Sequence, residues 1–402
     1  MRDELIDSLN IPVYTYFPDV QLDNETRKAI TIYHLLTMSS GLEWSEPLRS
    51  GLNDNWYIFD SDNPAEYFLS RPTVTVPGRL FNYNTGGSHL LSMIVQEEAG
   101  ESMADLVERE LFTPLGITRY EWIEDTSGHT MGGTGLALAP ADMLRFGQLY
   151  LQYGLWGTDV VLTTDWVRES TRSHMELAGG VNYGYQWWVR PNGVYNALGW
   201  GGQQIIVIPK QDMVVVFTAG IRDASWNTYD DLLETYIIPS AVSNSTLPPD
   251  PSGTAQLKEQ LLAVADEEPV TPSILPSTAH KVSGKTYVDL NGTHGWSTFT
   301  FDFSRSDEAD LEFVYGEKSE EIAARIGLDG IYRVSPTEQY GPVAFKGHWK
   351  NENTFELTQQ FLMEAERIEM ELTFSDDGIK RVSRFIVGNH TEESDAVLLF
   401  EQ

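Results

Sequence analysis

Phe81 to Leu91 reads FNYNTGGSHLL. A tyrosine, an amide, a hydroxyl and two glycines break straight into an apolar helical pattern. Leu90, Leu91, Ile94 and Val95 recur at helix spacing until Gly100 stops them. Polar side chains at the mouth of a buried helix are a common way to build an active site. A loop leading into a helix is the plainer reading, and the stretch taken alone favours it.

The neighbouring segments change that balance. Pro77 and Gly78 make a turn just before the stretch. Upstream, TIYHLLTMSSGL predicts a short helix capped by Thr31, with Ile32, Leu35 and Leu36 on its apolar side and Gly41 closing its end in a left-handed conformation. Residues 43–80 read as loop with one short helix near Asn63 to Ser70. Downstream, Ser102 caps a second helix, with Asp105 placed to reach back and Met103, Leu106, Val107 and Leu111 as its apolar face. After the turn MGGTGLALAP, Pro140 suits a first helical turn, and Met143, Phe146, Leu149, Tyr150 and Tyr153 lie along the helix that Gly154 ends.

From Tyr183 to Gly220, two β-branched runs, Ile205–Ile208 and Val214–Phe217, flank a Pro-Lys-Gln-Asp turn and predict a hairpin, with Tyr185–Val189 as a third strand. Gly199, Gly201 and Gly202 stand where the middle strand begins. Glycines there mark either a close approach of a ligand or backbone, or a bulge. Residues 240–280 carry linker composition around one short helix, Thr254–Ala265. From Val282 on, about eight short alternating strands predict a small antiparallel barrel or sandwich. His348, and His294 near Trp296, read as strand residues there rather than ligands.

Acidic residues number 59 against 27 basic, of which nine are lysine, and the net charge is −32. That surface repels nucleic acid and anionic membrane and suits a secreted or salt-exposed protein. The absence of cysteine excludes disulfides, thiolate nucleophiles and cysteine-bound zinc. No run approaches the roughly 18 apolar residues of a membrane span, and the acidic MRDELIDSLNIPVYTYF is not a signal peptide. The eight histidines are scattered, with no i, i+4 pair and no local carboxylate partner, so no metal is expected. The glycine clusters lack a P-loop lysine, and 59 acids select no glycosidase pair. No cofactor is expected.

What remains is a tyrosine at a helix mouth beside a glycine-bearing strand. That is the working surface of a serine hydrolase that uses tyrosine in place of histidine. A free phenol titrates near 10, so such a base needs an adjacent ammonium to stabilise its phenolate. Strand N–H groups would hold the oxyanion.

In order along the chain, ITIYHLLTMSSGL, FNYNTGGSHLLSMI, LFTPLGI, GGTGLALAPADMLRFGQLYLQYG, YGYQWW and ALGWGGQQIIVIP resemble the serine β-lactamase and penicillin-binding-protein superfamily. The similar branch is that of class C β-lactamases, esterases and 6-aminohexanoate-dimer hydrolases. The resemblance runs from about Ile11 to Gly220. It implies an α/β fold of α+β type: an antiparallel sheet flanked by helices, β-lactamase/transpeptidase-like, followed by a small antiparallel β-barrel. It divides the chain into a hydrolase domain lacking its N-terminal part (1–240), a linker (241–281) and a lipocalin-like barrel (282–402). Tyr83 matches the family's catalytic tyrosine, and Asn84 and Thr85 fill the rest of that substrate-binding motif. Ala197, Leu198 and Gly199 fall where relatives carry Lys-Thr-Gly or His-x-Gly on an edge strand. Trp200 N–H is expected in the oxyanion hole, with Gly201 beside it. The implied substrate is a small ester, amide, peptide or β-lactam, and the implied setting periplasmic or extracellular; oligomeric state is left open. Trp44, Trp56, Trp187, Trp188 and Trp200 are candidates for an apolar pocket or for the core.

The sequence departs from the family at one decisive point. The family's nucleophile is the serine of Ser-x-x-Lys, whose i, i+3 spacing brings lysine to serine, and no such motif occurs in the 402 residues. One expectation is a hydrolase represented without its N-terminal part, with apolar surface exposed and solubility poor. The other is a non-catalytic binding protein that keeps the pocket. A third reading makes the barrel the functional module. An in-frame Ser-x-x-Lys upstream of Met1 in the DNA separates the first two.

Overall fold

A computed structural model describes residues 5–46, 54–222, 225, 227–265, 267–290, 295–316, 319–337 and 341–399. The chain forms two compact units, residues 1–219 with 224–240, and residues 220–223 with 241–402.

In the first unit, helix α1 (Ile32–Leu36) starts where His34 Nδ1 accepts the Thr31 N–H at 3.0 Å. It ends earlier than Gly41. Met38 takes the left-handed turn (φ 54°), and Gly41 (φ 77°) instead passes beneath Thr75, whose carbonyl would lie 2.4 Å from any Cβ. Helix α2 (Pro64–Ser70) is capped by Asn63, whose side chain accepts Glu66 N–H at 3.1 Å. A helix at Asp54–Phe59 stands where loop is expected. Its Asp54 is buried, accepting from Tyr67 Oη (2.6 Å) and Ser45 N–H (2.7 Å), so tertiary bonds rather than propensity hold it.

Helix α3 (Thr85–Ala99) begins at Asn84 and ends at the left-handed Gly100. Leu90 and Ile94 pack with Ile32, Leu35, Phe68 and Leu69 into one apolar core. Helix α4 (Pro140–Leu151) lies on the sheet so closely at Gly147 that an added Cβ would sit 2.5 Å from Val214 Cγ1.

That sheet is antiparallel and six-stranded: β1 (Met175–Glu176), β2 (Asn182–Tyr183), β3 (Trp188–Val189), β4 (Tyr195–Leu198), β5 (Gln204–Ile208) and β6 (Met213–Phe217), neighbours in that order. The third strand is shorter than Tyr185–Val189 because Gln186 adopts a left-handed φ of 64°. β5 is buried at every residue, with α4 on one face and Leu233, Ile237 and Ile238 on the other.

The second unit is a barrel. Strands β7 (Lys285–Asp289), β8 (Trp296–Asp302), β9 (Glu308–Tyr315), β10 (Glu320–Gly327), β11 (Arg333–Ser335), β12 (Val343–Trp349), β13 (Thr354–Phe361), β14 (Arg367–Ser375), β15 (Gly378–Phe385) and β16 (His390–Leu398) pair antiparallel. The ring closes through a short parallel pairing of β10 with β12. Alternation with period two turns Phe355, Leu357, Gln359 and Phe361 of β13 inward. Aromatic rings such as Trp296, Phe299, Phe301, Phe303, Phe345 and Phe355 fill the interior. Arg381 joins them, 1% exposed. It donates to the buried Asp289 and to Ser394 Oγ (3.2 Å) and lies 5.3 Å from the Trp296 ring centroid. His348 faces outward beside Glu356 (3.3 Å); His294 lies outside the described residues.

Candidate active site

The polar stretch before α3 is ordered by its own caps. Asn84, extended in backbone, accepts Gly87 N–H at 2.8 Å and starts the helix. Its Nδ2 is buried with no hydrogen-bond partner among the described residues. Thr85 supplies two further bonds, from its N–H to Glu46 Oε1 and from its Oγ1 to Glu46 Oε2 (2.9 Å). Trp44 Nε1 also donates to Glu46, at 2.5 Å. A carboxylate here answers the open N–H groups and positive end of the helix. Glu46 was not legible in the sequence, since it lies 39 residues from Thr85 and no spacing signals the contact.

Tyr83 stands at this mouth, 38% exposed over the residue as a whole while its surroundings desolvate the phenol. Its ring lies nearly parallel to Trp188 (centroids 6.1 Å, 14°) and at right angles to the buried Tyr183 (6.5 Å, 89°). Trp188 and Tyr183 are themselves perpendicular at 5.2 Å, and Phe81 backs both. Burial, and secondarily the negative charge of Glu46, pushes the Tyr83 phenol up to about 12. This is the opposite of the shift a phenolate base needs. Burial also pushes the Glu46 carboxyl up, against the four hydrogen bonds it accepts.

Gln186 holds the strand side to the helix side. Its Oε1 accepts from Ser88 Oγ at 3.0 Å and its N–H donates to Leu36 at 3.1 Å. Strand β4 is interior at Tyr195 and Asn196, which face β3. At Ala197 and Leu198 it pairs only with β5, because β3 stops at Trp188 opposite Asn196. Gly199 follows, then Gly201 (φ 72°) and Gly202 (φ 95°), whose carbonyl accepts from Tyr229 Oη at 2.7 Å. Tyr83 reaches this strand through Trp188, one strand away. Trp200 is 48% exposed and makes no ring contact among the described residues. Of the other tryptophans, Trp187 and Trp44 are buried in the core, and the Trp56 side chain lies outside what the structure describes.

One cluster corrects the sequence reading. His129 does have a local carboxylate: its Nδ1 lies 3.1 Å from Asp125 Oδ2, and the fully buried His89 of α3 reaches the same oxygen at 2.9 Å. Gly132 N–H donates to His89 Nδ1 at 3.3 Å. Nε2 of His89 is therefore the protonated nitrogen, and imidazolium would set two donors face to face. Burial holds His89 below its ordinary range, with Asp125 opposing; burial likewise lowers His34 and His174. Burial pushes Asp125 up, but the His129 amide and both imidazoles outweigh it and hold it low.

These imidazoles take up a proton at about 6.5 in the unfolded chain and at lower pH when folded. Their stabilising contribution is complete above that value and is lost as pH falls toward the folded values. The first unit's melting temperature is thus expected to drop steadily between pH 7 and 5. A His89→Gln variant should show a flatter dependence. Calorimetry across that range checks this; a midpoint constant from pH 7.5 to 5.5 contradicts it.

Among the described residues no helix is long and apolar enough to cross a membrane, and no His/Cys/Asp/Glu group of three could hold a metal. Residues 3–227 match the profile of the family described as Beta-lactamase. A solved structure from Bacillus anthracis, provisionally named a 6-aminohexanoate-dimer hydrolase, is 22% identical. The match covers 60% of this chain and 67% of that one, with a TM-score of 0.51. The octameric penicillin-binding protein homologue of Pyrococcus abyssi is 16% identical over 98% and 83% of the two chains, TM-score 0.45. The β-lactamase/D-alanine carboxypeptidase of Yersinia pestis is 19% identical over 54% and 71%, TM-score 0.43. At such identities the likeness to the first of these is one of fold.

Proposed function

The chain belongs to the Beta-lactamase family, and from that premise we propose that its first unit carries two parts of a serine hydrolase site for an ester, amide or β-lactam. Tyr83 is the proton-transfer group of an acyl-enzyme reaction. The backbone from Gly199 to Gly201, with Trp200 N–H, receives the carbonyl oxygen, and Asn84 and Thr85 line the substrate side. A periplasmic or extracellular setting accords with the family and with the cysteine-free sequence.

These 402 residues by themselves do not acylate. The observation that carries this is the direction of the shift at Tyr83: burial, and secondarily the negative charge of Glu46, push its phenol up to about 12 rather than down. No Ser-x-x-Lys supplies a nucleophile and its lysine. Oxyanion donors and binding alone leave a residual rate on the order of 10³ over water. Incubation with a fluorophosphonate and with a fluorescent penicillin is expected to label no residue; stoichiometric labelling of any serine overturns the proposal.

A second reading, a binding protein that keeps the pocket without the chemistry, is favoured by Asn84. Its buried Nδ2 lacks an acceptor among the described residues, and a bound ligand's carbonyl would satisfy it.

A further inference from the structure

We propose that His89, Asp125 and His129 form an acid-released latch, which holds residues 130–135 against the first two turns of α3 while His89 is neutral and frees them when His89 takes up a proton. The latch stands on its own geometry. Its consequence for Asn84 and Thr85, which lead into those turns, rests on the hydrolase reading.

The loop is fitted to the helix with no slack. A Cβ on Gly133 would lie 2.4 Å from Thr85 Cγ2 and 2.7 Å from the Thr85 carbonyl oxygen. Two hydrogen bonds tie this part of the loop to α3: Ser92 Oγ donates to the Thr130 carbonyl at 2.6 Å, and Gly132 N–H donates to His89 Nδ1 at 3.3 Å. The second is the bond that a proton removes. Neutral His89 carries its hydrogen on Nε2, toward Asp125 Oδ2 at 2.9 Å, and leaves Nδ1 as an acceptor. Once protonated, Nδ1 is a donor facing the Gly132 N–H, at a residue that is 0% exposed.

The carboxylate beside His89 is already shared. Asp125 Oδ2 also lies 3.1 Å from His129 Nδ1, and Oδ1 accepts the N–H groups of Ser127 (2.9 Å) and His129 (2.8 Å). One carboxylate therefore serves two imidazoles and cannot neutralise both when both are charged. Burial opposes a proton on His89 most, Asp125 favours it, and the charge of His129 opposes it. The other elements packed here turn uncharged groups to the imidazole. Phe59, at the end of the helix Asp54–Phe59, lies 5.2 Å away between ring centroids, and α3 presents Thr85, Gly86, Ser92 and Met93 one turn on either side. Asp60, Asp62, Asp105 and Glu124 on the adjoining segments are exposed to solvent, and Glu101 is partly so.

The remaining bonds keep the loop intact as it moves. Met131 N–H donates to the Ile123 carbonyl at 3.0 Å, and Trp122 Nε1 donates to the Met131 carbonyl at 2.8 Å. These hold residues 130–135 to their own hairpin rather than to α3, so release at Gly132 leaves the Ser92–Thr130 bond as the pivot.

Hydrogen exchange of the full chain, read by mass spectrometry and corrected for the intrinsic pH dependence of exchange, tests this at pH 7.5 and 5.0. Amides of residues 130–135 are expected to lose protection by about tenfold or more at pH 5.0, the scale of one lost hydrogen bond, while β5 keeps its protection. His89→Gln places a neutral acceptor and donor at the same position and is expected to keep the loop protected at both pH values. His129→Gln removes the opposing charge, so its loop is expected to open at a higher pH than the parent's. Circular dichroism confirms that the variants fold; if His89→Gln does not, the comparison of loop with β5 in the unaltered chain decides. Equal loop protection at the two pH values, a loss spread evenly over β5, or opening abolished by His129→Gln but not by His89→Gln overturns the latch. None of these outcomes bears on fluorophosphonate or penicillin labelling, which tests the hydrolase reading separately.

Discussion

Asp289→Ala is expected to destabilise the barrel by about 3–5 kcal/mol, because it leaves the Arg381 guanidinium buried without its carboxylate. The side chains are 1% and 0% exposed. Burial lowers Arg381 to about 10 despite the opposing charges of Asp289 and Glu392. The Trp296 and Phe299 rings beside it, 5.3 and 5.8 Å from the guanidinium carbon, soften the loss without replacing a charge. Removing both partners has a different consequence. Asp289→Leu with Arg381→Met should lie within about 1 kcal/mol of the parent, since a buried pair exchanged for apolar groups of like volume is often neutral or stabilising. Urea unfolding of the parent, the Asp289→Ala variant and the double variant measures both effects. A single-variant loss below about 1 kcal/mol would mean the pair is not buried as described.

Gly132→Ala is the second large effect. A Cβ at this position would lie 2.2 Å from the Ser88 carbonyl, 2.7 Å from Ser92 Cβ and 3.0 Å from His89 Cα, all on α3. None is the tip of a flexible side chain, so the loop must lift from the helix. Overpacking of this kind typically costs about 1–3 kcal/mol, and valine should cost more. Lifting also breaks the Gly132 N–H bond to His89 and so frees the imidazole to take up a proton. Gly128→Ala is the comparison. It lies in the same loop and would meet no atom within 4 Å, so only its φ of 83° is strained, at about 1–2 kcal/mol. Chemical unfolding of the two variants, with the acid midpoint of each, gives the answer. Equal losses with unchanged acid midpoints would show that Gly132 does not clamp α3.

The helices and the hairpin were legible because their signals are local. Asn84 and Ser102 announce helix starts within three residues, apolar spacing carries α3 to Gly100, and Pro209 to Asp212 separates two β-branched runs. About eight of the ten barrel strands were legible by alternation, and β11 is too short to signal itself. Site residues fixed by distant partners were not. Glu46 meets Thr85 across 39 residues, and Asp125 meets His89 across 36. Gln186 adopts a left-handed turn that its residue type disfavours, held by bonds to Leu36 and Ser88. Tyr83 was recognised as a residue type in a pattern, but the direction in which its phenol shifts came only from the fold.

The seam that closes the barrel differs in kind from the joints elsewhere in the ring. β10 meets β12 only at Ile326↔Phe345 and Gly327↔Lys346, whereas β9 and β10 stay in register from Glu308↔Gly327 to Tyr315↔Glu320. Opening a ring of strands requires breaking its shortest joint first, so the barrel has a clasp. Thermal breathing should part it there, between β10 and β12, while the other strands remain a curled sheet. Amide protons along that clasp then exchange with solvent through local opening, and those of β13 to β15 only when the whole unit unfolds.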